Sequence, residues 1–402
     1  MKSTKDYGKY TETNTSSGID ILRETKFRIL NDSSVGLLVN QATVDKNLDH
    51  DIDILLNEEN FELKSLFGPQ HGLYGQTQDN MIEWTGFRDR RTGLPVYSLY
   101  GNHRKPTDEM LEGIDTLVVD FPDVGTRYYT FLWTAKLCME ACAQKGIRMI
   151  VLDRPNPIGG EIIEGPMLDP EYKSFVGLSV LPVRHGMTMG ELLAMINREE
   201  EMGCVLEVIK MQGWSREMWF DDTGLPWVIP SPNMPTIDTA TVYPGGCLLE
   251  ATNISEGRGT CRPFEIIGAP YIEPYAVVDK MKKWDIEGVI LRPVYFEPTF
   301  GKHTGKYCGG IQLHITDRNK FRSVKTFAIF ISLIKKMYPD QFAWKNPPYE
   351  YEYEKMPIDI LWGDSSLRES VDNMKNPEEL FKKMNISINN FRQTRKDYLL
   401  YS

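Results

Sequence analysis

The residues best suited to chemistry sit in short polar loops. Gly68-Pro69-Gln70-His71-Gly72-Leu73-Tyr74-Gly75 is a turn with three glycines around one histidine. His71 in such a turn can carry a proton or donate a hydrogen bond; a purely structural histidine that pins the turn is the plainer alternative. Glu83 follows, beside Trp84. An aromatic neighbour can desolvate a carboxyl, which raises its pKa and makes a general acid usable near neutrality. Asp120, Asp123 and Arg127 cluster in one segment, Asp153 and Arg154 in another. Two carboxylates so placed can supply acid and base, or acid and nucleophile, for glycosidic cleavage. They can equally form Asp–Arg pairs that brace loops. Metal binding competes, through these aspartates with His71 or His185, but no HExxH, DxDxDG or His-rich spacing is present and no metal is expected. Residues 252–260, Thr-Asn-Ile-Ser-Glu-Gly-Arg-Gly-Thr, can bring backbone N–H groups and Arg258 to a ligand. Arg127, Arg154, Arg184 and Arg258 can each fork onto a carboxylate.

These loops need elements to hold them. Five short, branched apolar runs, at 35–39, 63–67, 96–99, 117–121 and 149–152, each end in one of the polar loops. Such runs suit strands buried on both faces of a parallel sheet. Loops beyond the carboxyl ends of parallel strands build the ligand crevice. Between the runs, helices are predicted over 52–56, from Thr107-Asp108-Glu109 onward, over 128–145 with Gly146 as a left-handed cap, and over 187–201 with Thr188 and Glu191 in capping-box spacing. A further strand is predicted over 204–211. Alternating β and α implies a Rossmann-like doubly wound, mostly parallel sheet.

Around 214–246 the texture changes: five prolines are interleaved with Trp214, Trp219, Trp227 and Tyr243. This reads as an ordered connection against the cleft. Trp214, Trp227, Tyr243 and Tyr271 are candidates for a sugar-stacking wall, or for core packing. Beyond it the pattern is α+β, with strands at 289–295 and 310–316 and a helix at 324–337. The expected domains are therefore a flexible arm at 1–17, a Rossmann-like domain at 18–245 and a smaller α+β domain at 246–402, with the site at their interface.

The chain has 402 residues, 41% hydrophobic and 25% charged, a globular composition. A net charge of −10 argues against a nucleic-acid partner. No apolar run reaches the ~18 residues of a membrane span. The polar N-terminus lacks a signal-peptide core, so the chain as written is expected in the cytoplasm, or in the periplasm or secreted if a leader was removed. The six scattered cysteines read as free thiols. Neither a GxGxxG nor a GxxxxGK[ST] order is present, so no nucleotide cofactor is expected, nor any other.

Segments across nearly the whole chain are similar to one family. They are PQHG (69–72), LPVYSLYG (94–101), DVGTRYYT (123–130), VLDRPNPIGG (151–160), PVRHGMTMGEL (182–192), TGLPWVIPSPNMP (223–235), YPGGCLLEATNISEGRGT (243–260), PFEIIGAP (263–270) and YLLY (398–401). In these the chain resembles the NamZ-type (YbbC-like) exo-β-N-acetylmuramidases. The resemblance implies a Rossmann-like domain joined to a smaller C-terminal domain. It also implies release of N-acetylmuramic acid from the non-reducing ends of peptidoglycan fragments. The family pattern carries glutamate before His-Gly, whereas this chain has Gln70. An amide neither donates a catalytic proton as a carboxylic acid does nor acts as a nucleophile. Three readings follow: Glu83 supplies the carboxyl, a different acylated amino sugar is cut, or the site binds a muropeptide or amino sugar without cutting it.

The first is favoured. Glu83 is then the general acid, His71 and Asp123 orient or assist, and Gln70 holds a water or the acetamido group. The substrate's own acetamido group is an alternative nucleophile. Arg127, Arg154, Arg184 or Arg258 pairs with the lactyl carboxylate of a small anionic substrate. Asn40, Tyr129, Asn156, His185, Asn253 and Glu256 complete the expected binding set.

Overall fold

The computed structural model describes residues 14–79 and 81–402. Twelve strands are found among them: β1 Ser34–Leu38, β2 Glu62–Gly68, β3 Phe87–Arg88, β4 Pro95–Ser98, β5 Thr116–Val119, β6 Arg148–Leu152, β7 Glu164–Met167, β8 Pro182–Arg184, β9 Leu206–Ile209, β10 Ile266–Ala269, β11 Val289–Phe296 and β12 Cys308–Ile315. The helices are α1 Gly18–Glu24, α2 Asp51–Leu56, α3 Phe131–Lys145, α4 Met189–Glu199, α5 Ile237–Gly246, α6 Pro274–Met281, α7 Ser323–Met337, α8 Pro357–Trp362, α9 Ser366–Asp372 and α10 Glu378–Thr394.

Seven strands form the main sheet, in the order β3-β4-β2-β1-β5-β6-β9. All neighbours are parallel except the short edge strand β3 against β4. The five apolar runs are β1, β2, β4, β5 and β6, so their polar loops emerge on one edge. The chain builds outward from β1 first towards β4, then from β5 towards β9. The reversal between β1 and β5 is the switch point at which such sheets open a crevice.

Alternation of side chains explains the two-sided burial. Val35, Leu37 and Val39 face one layer with α1 and α2, joined there by Val118, Ile150 and Leu152. Leu38, Val119, Met149 and Val151 face the other, against Trp133 and Cys138 of α3 and Leu192 of α4. That second layer runs without a break into the C-terminal region, where Phe264, Phe327 and Trp362 belong to the same cluster. There β10, β12 and β11 form a three-stranded antiparallel sheet. The final residues return to the first sheet: Tyr401 Oη donates to Asp153 Oδ2 at 2.6 Å.

Three local expectations are corrected. Residues from Thr107 onward make turns rather than a helix, since the coil is broken at Gly113, whose φ is +74°. Helix α3 starts at Phe131 rather than at 128: Tyr129 N–H closes a turn on Thr126 O at 3.0 Å, and the helical bonds begin with Thr134 N–H to Thr130 O at 2.9 Å. The arm expected over 1–17 is anchored in its described part: Ser16 and Gln212 exchange backbone hydrogen bonds of 2.9 and 3.0 Å. Residues 1–13 lie outside the described residues. The cap at Gly146 has φ 68°, and Thr188 with Glu191 forms the expected capping box of α4. All six cysteines are unpaired. Among the described residues no helix is long and apolar enough to cross a membrane.

Candidate active site

Loops from both halves of the chain enclose one polar cavity. Gln70 and His71 come from the loop after β2, Tyr129 and Thr130 from the entry to α3, and Ser231 and Asn233 from the proline-rich connection. Glu250, Arg258, Tyr349 and Glu350 come from the C-terminal region.

His71 sits at φ 71°, a left-handed conformation uncommon outside glycine. Its Nδ1 bonds Thr77 O at 2.8 Å. A carbonyl only accepts, so Nδ1 carries the proton and Nε2 is an acceptor. Burial lowers the His71 pKa to about 4, so the ring is neutral at physiological pH.

Gln70 is 6% exposed and its amide is fully oriented. Thr130 Oγ1 donates to its Oε1 at 2.6 Å. Its Nε2 donates to Tyr100 Oη at 3.1 Å and to Glu350 Oε1 at 3.2 Å. Tyr100 Oη in turn donates to Glu350 Oε2 at 2.8 Å. Glu350 is 2% exposed. Burial, with a smaller push from the Glu250 charge, raises its pKa to about 7 against the hydrogen bonds from Tyr100 and Gln70 and the charge of Arg258. Glu350 and Tyr351 both adopt positive φ, 45° and 65°. Successive left-handed non-glycine residues of this kind concentrate at functional sites.

The other carboxylates here are bound to cations. Arg258 donates to Glu250 at 2.8 Å and to Glu256 at 3.1 Å, and Lys302 pairs with Glu256 at 2.9 Å. Burial pushes the Glu256 carboxyl up, but Lys302 and Arg258 outweigh it and hold its pKa down to about 2. Tyr349 Oη donates to Glu250 at 2.6 Å. Arg258 Nε is buried without a hydrogen-bond partner.

Of the expected site residues, the fold brings Gln70, His71, Tyr129 and Arg258 together. Glu83 stands elsewhere: it is exposed and accepts from Tyr351 Oη at 3.2 Å. Trp84 turns instead to the turn below, donating to Pro69 O at 2.9 Å. The desolvation on which a general-acid role for Glu83 depends is therefore absent. Arg127 is fully buried and donates to four carbonyls, of Pro166, Leu181, Leu361 and Trp362, at 2.7–2.9 Å. It stitches the two halves of the chain together and has no donor left for a substrate anion but Nε. Arg184 is held by Glu164 and Ile158 O. Asn40, Asn156 and Asn253 bind backbone carbonyls of Pro230, Met187 and Gln341. His185 is wholly buried, with Nδ1 accepting from Met187 N–H.

Asp123 and Arg154 line a second crevice with Pro155 and Trp227, adjoining the cavity. Asn40 and Gln41 clamp the connection at Pro230 O, both at 3.0 Å. Pro230 faces the crevice and Ser231 the cavity, so this strap divides them. Arg154 donates bidentately to Asp120. Asp123 Oδ2 accepts from Gly125 N–H at 2.9 Å and lies 3.5 Å from His185 Nε2. Of the four candidate aromatics, Trp214 packs on Tyr401, Tyr271 on Tyr338, and Trp227 lines the crevice; Tyr243 alone lines the cavity. Among the described residues no group of three His, Cys, Asp or Glu side chains is arranged to hold a metal ion.

Glu350 and Tyr349 were not singled out by sequence. Their signal is the alternation Tyr349-Glu350-Tyr351-Glu352-Tyr353 between prolines 348 and 357, a carboxyl framed by aromatics outside any helix.

Comparison with known proteins agrees with the resemblance in the loops. The family models for exo-β-N-acetylmuramidase NamZ match residues 35–238 (N-terminal) and 241–401 (C-terminal). The peptidoglycan β-N-acetylmuramidase NamZ of Bacillus subtilis (strain 168) is 44% identical over 385 residues, 96% of this chain and 91% of that protein. A crystal structure of a DUF1343 family protein from Bacteroides fragilis NCTC 9343 superposes with TM-score 0.88 at 35% identity, covering 98% of this chain and all of the other. A second from the same organism gives 0.73 at 28%, covering 96% and 99%. With both domains matched and a relative this similar along nearly its whole length, the chain belongs to the exo-β-N-acetylmuramidase NamZ family.

Proposed function

We infer that this protein is a glycosidase, an exo-β-N-acetylmuramidase that releases N-acetylmuramic acid from the non-reducing ends of peptidoglycan fragments. The carrying observation is 44% identity, along 96% of the chain, to a peptidoglycan β-N-acetylmuramidase. The cavity suits the reaction. It holds a neutral histidine acceptor, a buried carboxyl, tyrosine and threonine hydroxyls for sugar hydroxyls, and one arginine.

Muramic acid differs from glucosamine by its lactyl carboxylate. Among the four candidate arginines only Arg258 lines the cavity, and with Nη1 and Nη2 each giving one hydrogen to a glutamate and Nε unpartnered, it keeps donors for that carboxylate. An unpaired buried donor is costly, so a substrate lacking the lactyl group is rejected. The test compares matched chromogenic glycosides of N-acetylmuramic acid and N-acetylglucosamine. The expected preference for the muramic substrate is at least ~100-fold, and Arg258→Lys narrows it. Binding of muropeptide by calorimetry with no product would establish a non-catalytic sugar-binding protein instead. Turnover of another acylated amino sugar alone would establish a different hydrolase.

A further inference from the structure

We propose that Glu350 is the acid that protonates the departing glycosidic oxygen, and that Gln70 is its positioning residue. This assignment rests on the muramidase reading.

The geometry singles out Glu350 among the acids of the cavity. Glu250 and Glu256 are ion-paired to Arg258 or Lys302, whereas among the described residues no cation lies within ion-pair distance of Glu350. Its two oxygens are met by neutral donors, Gln70 Nε2 at 3.2 Å and Tyr100 Oη at 2.8 Å. Both partners give hydrogens and take none from it. The acidic hydrogen of a protonated Glu350 is thus left for whatever fills the cavity, which a proton donor requires.

The surroundings favour the protonated form at neutral pH. Around Glu350 stand His71 from the loop after β2, Tyr100 from the loop after β4, Glu250 and Arg258 from the far wall, and Tyr349 and Tyr351 on either side. His71 is neutral, and the Glu250 charge is shared with Arg258. Beyond Tyr351 lie Glu83 and, over its ring at 4.0 Å, Arg104. Burial in this company, where no full counter-charge touches the carboxyl, keeps the proton on up to about pH 7.

Gln70 explains how an amide serves here. Tyr100 gives its hydroxyl hydrogen to Glu350 and accepts from Gln70, which sets Nε2 on the Glu350 side and leaves Oε1 to the Thr130 hydroxyl. The amide holds the carboxyl in place without adding a second titrating group beside it. In the step itself, the Glu350 proton passes to the glycosidic oxygen. The C1–O bond breaks with its electron pair going to that oxygen, which leaves as the sugar hydroxyl. Water supplies hydroxide to C1, and its remaining proton returns to the Glu350 carboxylate directly or through solvent.

The test uses the full chain and two substrates: a muramic acid–glucosamine disaccharide, whose leaving group needs a proton, and a muramic acid aryl glycoside whose phenol leaves without one. Glu350→Gln should lower kcat/KM on the disaccharide by ~10³-fold and on the aryl glycoside by less than about tenfold. The wild-type profile should fall above about pH 7 on the disaccharide, and Glu350→Gln should flatten that limb. Gln70→Ala should move the limb to higher pH, a response that a merely structural glutamine would not give. Equal losses on both substrates, or a disaccharide rate left intact, overturn the role of Glu350 while the muramidase reading stands. A wild-type protein that cleaves neither substrate overturns both. If Glu350→Gln does not fold, the leaving-group contrast in Glu350→Asp and the wild-type limb decide the matter: no contrast and no limb reject the proposal.

Discussion

The cavity around Glu350 and the crevice around Arg154 lie side by side at the same edge of the same sheet, yet their charges are arranged oppositely. In the crevice wall, Arg154 meets Asp120 bidentately, with Asp51 3.9 Å away. Both aspartates are wholly buried. Burial works against the Arg154 charge, but the two carboxylates more than offset it and raise its pKa. Arg154 and Asp120 are spent on each other, while Asp51 stays buried behind them without a hydrogen bond, its pKa pushed up by burial and by the Asp120 charge. In the cavity, Glu350 receives only neutral donors. The contrast separates charges that hold loops together from a charge left incompletely compensated, and perturbed groups of the second kind cluster where chemistry is done.

The largest effect expected from this contrast is on stability. Arg154→Met leaves Asp120 and Asp51 buried without their cation, a loss of about 3–5 kcal/mol. Urea unfolding at pH 7 measures it. A loss under about 1 kcal/mol would mean that the crevice pair is as loosely held as the cavity carboxyl.

Glu350→Gln should act in the other direction. The folded protein keeps the Glu350 proton up to about pH 7, whereas the unfolded chain releases it near the ordinary value of 4.5. Between those values unfolding releases a proton, so wild-type stability falls as pH rises. The amide variant lacks this term. Its stability relative to wild type should therefore grow from pH 4.5 to pH 7 and then level off, by at most about 3 kcal/mol. A difference that is flat with pH would place the raised pKa elsewhere.

A smaller effect sharpens the role of the amide. Gln70→Glu sets a second carboxyl where Nε2 now lies, 3.2 Å from Glu350. Like charges this close cannot both ionise easily, so the alkaline limb of activity should move up by about one unit. An unmoved limb would show that Gln70 and Glu350 do not sense each other.

How far all this was legible in sequence follows from what each signal depends on. Strands β1, β2, β5 and β6 read cleanly because both of their faces are buried and short branched runs leave little alternative. The turn at Thr107 misled, since Pro106 and the acidic pair imitate a helix start that Gly113 then stops. Gln70, His71, Tyr129 and Arg258 were visible because glycine- and proline-marked loops must lie at strand or helix ends. Arg127, Arg184 and Asn253 were not separable from them: a guanidinium that binds four carbonyls and one that faces a substrate have the same letter. Glu350 was hidden for a different reason. Its partners Gln70 and Tyr100 lie 280 and 250 positions away, so burial and the raised pKa exist only once the C-terminal region closes over the sheet.

Glu83 provides the finest test of the comparison, because it shares a neighbour with Glu350. Tyr351 Oη donates to Glu83 at 3.2 Å, and Tyr351 also packs edge-on against Tyr100, the donor to Glu350. The two carboxyls are thus linked through one ring, with one exposed and the other enclosed. If enclosure makes the acid, Glu83→Gln should change kcat/KM on the disaccharide by less than about twofold, leave the alkaline limb in place and shift stability by no more than ~0.5 kcal/mol, the usual range for an exposed side chain. The tyrosine hydroxyl can donate to the new amide oxygen as it did to the carboxylate, so Tyr351 keeps its position against Tyr100. A fall comparable to that of Glu350→Gln would instead mean that the rim folds inward on substrate and that Glu83 carries the proton.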